Sequence, residues 1–131
     1  MITFDDSKII KALNGPVYIY VNIYKIPTHG CLVDPTSLVN VITEEHLFMK
    51  GLQYDFYDTS DVWIQNCNGF IYLSFSSIDL LVKLCGNIVK TTFVFVSNSD
   101  QFQVKLGLPW LNAMHAISSP IHKYLKFFLY D

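Results

Sequence analysis

The 131-residue chain contains no arginine. Its basic residues are nine lysines, scattered from Lys8 to Lys126, and the net charge is -2. Nucleic-acid binders carry basic clusters and use Arg to read phosphate and guanine, so nucleic-acid binding is not expected. No apolar run approaches the roughly 20 residues that cross a bilayer, so no membrane span is expected either. The opening MITFDDSKII has two Asp residues and lacks the basic region of a signal peptide. Cysteine is scarce: Cys31, Cys67 and Cys85 are odd in number and widely spaced. They read as free thiols in a reducing, cytoplasmic setting. There is no C-x₂-C pair, and His115 and His122 are too far apart for the usual zinc spacing, so neither metal nor cofactor is expected. A Gly-rich phosphate loop is missing. So is a His set beside a Ser or Cys nucleophile in a strand–turn–helix context.

What the chain does have is apolar bulk. Hydrophobic residues make up 51%, and two Trp, eight Tyr and ten Phe give twenty aromatics. That suits one folded domain, residues 1–131, too apolar to be disordered. A domain of this size has limited interior, and surplus apolar surface tends to meet a partner.

The pattern is that of strands. DDSKIIKALNG, residues 5–15, allows a short helix or an extended lead, ended by Asn14-Gly15-Pro16. VYIYVNIYKI is rich in β-branched and aromatic residues, and Pro27-Thr28-His29-Gly30 reads as a turn, so residues 17–33 form a hairpin that delivers Asp34 at its far end. Residues 38–42 are a third apolar run. Thr43-Glu44-Glu45 opens a short helix, a hydroxyl cap followed by acids, and Gly51 closes it. Residues 55–61 are polar and loop-like. Residues 62–75 are two extended pieces joined at Asn66-Cys67-Asn68-Gly69, where Asn-Gly is a strong hairpin signal. Residues 78–84 and 88–96 are further strands joined by Cys85-Gly86-Asn87. Residues 104–107 are strand-like, Pro109 starts a second short helix, and residues 124–130 end the chain as a strand. The total is about eight strands and two short helices, an all-β barrel or sandwich.

Most polar candidates for chemistry have a bland reading. Asp58-Thr59-Ser60-Asp61 reads as a solvated turn. Asp34 is different, because it ends an apolar run, has a second apolar run behind it, and is followed at once by Thr36 and Ser37. A partly buried carboxylate needs hydrogen bonds, and these hydroxyls can supply them. From the residues alone it is either a turn Asp or a functional carboxylate.

The order of these elements resembles the retropepsin-like aspartic proteases, particularly those of plant gypsy-type LTR retrotransposon polyproteins. Their active-site turn reads like V-D-P-G-S-S-x-N-V-I, and this chain has Val33-Asp34-Pro35-Thr36-Ser37-Leu38-Val39-Asn40-Val41-Ile42. Downstream, Phe93, Val94, Phe95 and Val96, then Leu106-Gly107-Leu108-Pro109-Trp110-Leu111, Met114, Ala116, Ser118, His122 and Leu125-Lys126-Phe127 follow the family order over a core of about residues 15–128. The resemblance implies a closed β-barrel with one or two short helices that acts as a two-fold homodimer. Asp34 would be catalytic and Pro35, Thr36 and Ser37 its turn. Leu106 and Gly107 would pack beneath that turn. A flap over residues 64–74, carrying Asn66, Asn68, Gly69 and Phe70, would close on an extended peptide or polyprotein substrate. The N-terminal segment and residues 124–130 would form a sheet between the two chains.

Two positions depart from the family. Thr36 stands where relatives carry Gly, and a stiff β-branched residue there would narrow the cleft or displace Asp34. Leu108 stands where many plant-type relatives carry Arg, which would leave an apolar contact with Leu38 in place of an ion pair. The expectation is therefore an aspartic endopeptidase. The alternative is a catalytically inactive retroelement-derived domain that serves as a dimeric interaction module. A third reading, a small barrel for an apolar ligand, predicts a monomer.

Overall fold

The computed structural model describes residues 2–11, 16–49, 59–65, 72–97, 99–119 and 124–130. Among these described residues, ten strands and two helices run in the order β1 (Ile2–Lys11), β2 (Val17–Ile23), β3 (Ile26–Val33), β4 (Asn40–Thr43), α1 (Glu44–Met49), β5 (Thr59–Gln65), β6 (Tyr72–Leu84), β7 (Asn87–Val96), β8 (Val104–Leu106), α2 (Leu108–Met114), β9 (Ile117–Ser119) and β10 (Tyr124–Tyr130). The main sheet has the order β2-β3-β8-β4-β7-β6-β5, and a further pairing of β2 with β6 closes six of these strands into a barrel. Strand β5 lies outside the ring, as the second arm of a hairpin with β6. No described helix is long and apolar enough to cross a membrane.

Alternation builds the barrel interior. Val17, Ile19, Val21 and Ile23 of β2 point inward, while Tyr18 and Tyr20 between them face out. Ile78, Leu80, Val82 and Leu84 do the same on β6. The second layer is helix α2, with Trp110, Leu111 and Met114 buried, and the small sheet β1-β10-β9, from which Leu125 and Phe127 join the same core. Thr43 caps α1, its hydroxyl accepting the His46 amide at 3.1 Å. Pro109 lies in the first turn of α2, where a missing N–H costs nothing.

Several elements differ from the sequence expectation. The β2–β3 turn is Tyr24-Lys25, with φ of 51° and 67°, and not Pro27–Gly30. A two-residue hairpin loop with both φ positive is normally Asn-Gly, so Tyr-Lys gives no turn signal. Pro27 to Gly30 instead run within β3. There the register jumps from Val21↔Thr28 to Ile19↔Cys31, a bulge at His29-Gly30 with Gly30 at φ 67°. Of the two alternatives for the N-terminal segment the extended one is found, as strand β1. Thr59, Ser60 and Asp61 are not in a solvated loop but begin β5, opposite Ile78, Ser77 and Ser76. Strand β6 continues unbroken through the expected gap before Ile78. The N-terminal segment and β10 pair with each other inside one chain. The Asn14-Gly15 turn, the Gly51 helix end and His122 lie outside the described residues.

Candidate active site

The site grows out of one topological feature. Strands β3 and β4 are consecutive in sequence, yet they flank β8, parallel to it on one side and antiparallel on the other. The connection, residues 34–39, must therefore pass over the C-terminal end of β8. Four backbone groups fix it there. The Asp34 amide donates to the Leu106 carbonyl at 3.0 Å, the Leu108 amide to the Ser37 carbonyl at 2.8 Å, and the Ser37 amide to the Asp34 carbonyl at 3.2 Å. The Gly107 amide donates to Asn40 Oδ1 at 2.7 Å. Asn40 is buried, and its Nδ2 donates to the Thr92 carbonyl, so it ties β4 to both β7 and the start of α2.

Gly107 is required for closeness, not for its dihedral angles, because its φ is -95°. A Cβ there would overlap the Val39 carbonyl oxygen and lie 2.8 Å from that of Ser37. Leu106 and Gly107 thus lie directly against the turn.

Asp34 is partly buried, its side chain 29% exposed. Oδ1 accepts the Thr36 amide at 2.9 Å and the Thr36 hydroxyl at 2.6 Å. Oδ2 faces Lys105 Nζ at 4.0 Å. Burial pushes the Asp34 carboxyl up. The Thr36 hydroxyl and amide, Lys105 and the Ser37 amide outweigh that, and the net shift is downward. The Thr36 hydroxyl is thus a donor to the carboxylate. The Ser37 hydroxyl turns away and donates to the Val39 carbonyl at 2.7 Å. Pro35 is half-buried in the turn.

The arms of the expected flap are present, paired from Thr59↔Ile78 to Gln65↔Tyr72. Its tip, with Asn66, Asn68, Gly69 and Phe70, lies outside the described residues. Leu38 is 73% exposed, so little apolar surface is buried around it next to Leu108. Among the described residues no His, Cys, Asp and Glu gather into a metal-binding group.

Compared by sequence, the chain matches no protein-family model and no curated protein. Solved structures do match. A retropepsin-like aspartic protease from Rickettsia conorii aligns with a TM-score of 0.67 and 16% identity, over 92% of this chain and 89% of that one. The EIAV protease complexed with the inhibitor HBY-793 aligns at 0.61 and 20%, over 82% and 95%. The retroviral protease-like domain of Ddi1 from Leishmania major aligns at 0.57 and 13%, over 91% and 95%. The fold is retropepsin-like. At such identities the likeness speaks for architecture alone. Within the retropepsin-like fold, sequence reasoning placed Asp34 and the residues under it but missed Lys105, Phe102 and the tie made by Asn40. The signal for Lys105 was a lone cation between two apolar residues of a short strand, which alternation turns away from the core.

Proposed function

We propose that the protein is a homodimeric aspartic endopeptidase in which each chain supplies one Asp34. The observation that carries this reading is the Asp34 carboxylate, partly open to solvent and held by donors on a turn strapped over Gly107. The retropepsin-like fold supports it. Dimerisation is supported by the small sheet, whose outer strands β1 and β9 each pair with β10 alone among the described strands and carry exposed Ile9 and Ile117. A two-fold axis beside the turn would set two Asp34 carboxyls against each other. Two such groups cannot both ionise cheaply, so the pair holds one proton and titrates as a unit. The ionised oxygen takes a proton from a water between them, and that water attacks the scissile carbonyl. The protonated carboxyl hydrogen-bonds the carbonyl oxygen as charge develops. Collapse of the tetrahedral adduct passes a proton to the leaving amine. The β5–β6 hairpin would close on an extended, largely apolar stretch of a retroelement polyprotein, pairing with it as an added strand.

One observation favours the second reading, an inactive dimeric interaction module. The Lys105 ion pair opposes the protonation that the mechanism needs. The deciding experiment is cleavage of a library of extended apolar peptides against pH, by the native chain and by Asp34→Asn, with native mass measured alongside. A dimer that cuts at acid pH, with the Asn variant dead, supports the protease. A folded dimer that cuts nothing at any pH supports the module. A folded monomer that cuts nothing removes both.

A further inference from the structure

Lys105 sits at the middle of β8, between the buried Val104 and Leu106, so alternation turns it out of the core and toward the turn. Its ammonium is not free to wander. It lies 4.0 Å from Asp34 Oδ2 and 5.2 Å from the centroid of the Phe102 ring, and the side chain is 21% exposed. A cation held against an aromatic face on one side and a carboxylate on the other is fixed by both. The Asp34 oxygens are thus divided: Thr36 holds Oδ1 from within the turn, and Lys105 faces Oδ2 from the neighbouring strand.

Among the described residues, Lys105 is the charge that acts on Asp34. Strand β4 and helix α2 contain no ionisable side chain. On β3 the only titratable groups are His29, whose ring packs against Tyr20 at 4.5 Å, and the buried Cys31, whose thiol is pushed up to about 12 by desolvation and stays neutral. Asp34 is the one charged residue of its own turn.

We propose that Lys105 is a positioning residue of the Asp34 site, so that in the dimer the two carboxyls must share their proton in the presence of two fixed ammonium groups. The proposal rests on the protease reading for its effect on turnover, but the ion pair itself can be read without turnover. Every donor on Asp34 favours its ionised form. The pair should therefore take up its proton at lower pH than it would with an apolar residue at position 105, and cleavage should extend to neutral pH when that cation is removed.

The test is an NMR titration of the Asp34 side-chain carboxyl carbon in the native chain, Lys105→Met and Lys105→Arg, with the pH profile of peptide cleavage recorded on the same samples. Met keeps the length and the packing on Phe102 without the charge. The Asp34 midpoint is expected to move to higher pH in Lys105→Met and to stay near the native value in Lys105→Arg. Added salt should raise the native midpoint and leave that of Lys105→Met nearly unmoved, because the pair is partly exposed and screened. If Lys105→Met folds and titrates as the native chain does, the proposal is wrong. If Met does not fold, a salt-insensitive native midpoint overturns it equally. Should the midpoints move as expected while no protein cuts peptide, the ion pair stands and the protease reading falls.

Discussion

The Thr36 hydroxyl donates to Asp34 Oδ1 at 2.6 Å, two residues along the same turn. A β-branched side chain within the turn is used as a donor to the carboxylate. Thr36→Val keeps the shape and removes that donor. The Asp34 carboxyl lies below its ordinary value in the folded chain, so the ionised form stabilises the fold above the unfolded value of 3.8. That contribution is lost as pH falls through the folded value. Thr36→Val should shrink it. Urea unfolding at neutral pH should show a loss of about 1 kcal/mol, and the gap to the native protein should close as pH falls through the folded value. A constant gap at all pH values would mean that the hydroxyl serves packing alone.

Gly107→Ala places a methyl group against two backbone carbonyls that cannot rotate away. The expected cost is about 2 kcal/mol, the range for overpacking a close contact. Because the contacts are to Ser37 and Val39, the displaced part is the turn that carries Asp34. Thermal unfolding should show a lowered Tm while far-ultraviolet circular dichroism keeps its strand signature, and peptide cleavage should fall more than stability does. An unchanged Tm would show that the turn has room to lift.

Asn40→Ala removes two hydrogen bonds at once and strands the Gly107 amide and the Thr92 carbonyl. The Gly107 amide is buried and is not expected to find water easily, whereas the bond to the Thr92 carbonyl is only partly buried. The orphaned Gly107 amide therefore dominates, and a loss of about 2 kcal/mol is expected in urea unfolding. Amide exchange at Gly107 should quicken in the variant, which separates loss of this bond from a general loosening.

Much of this architecture was legible from patterning. The barrel strands alternate cleanly, as in Val17, Ile19, Val21 and Ile23, and both helices announced themselves through Thr43 and Pro109. The hairpin that ends at Asp34 was placed correctly even though its turn was not. Tyr24 and Lys25 accept positive φ because pairing on both sides, and the bond from the Tyr24 amide to the Leu81 carbonyl, hold them there; local composition carries no trace of that. The extent of β6 was obscured by Ser76 and Ser77, weak strand formers kept extended by pairing with β5 on one edge and, from Ser77 onward, with β7 on the other. At the candidate site, Asp34, Thr36 and Ser37 stood out together as one short stretch, whereas Gly107 was reached only through the family resemblance. Lys105 could not, since nothing local says that β8 slots between β3 and β4.

The extra residue in β3 also has a counting consequence. Thr28 points into the barrel, and strict alternation from there would send residues 30, 32 and 34 inward too. The bulge at His29-Gly30 changes the parity, so that Cys31 and Val33 are buried and Leu32 and Asp34 are not. The acid owes its access to solvent to one additional residue four positions upstream, at a glycine whose φ of 67° suits few other side chains. Removing that residue would leave every other amino acid in place and turn the carboxylate into the core.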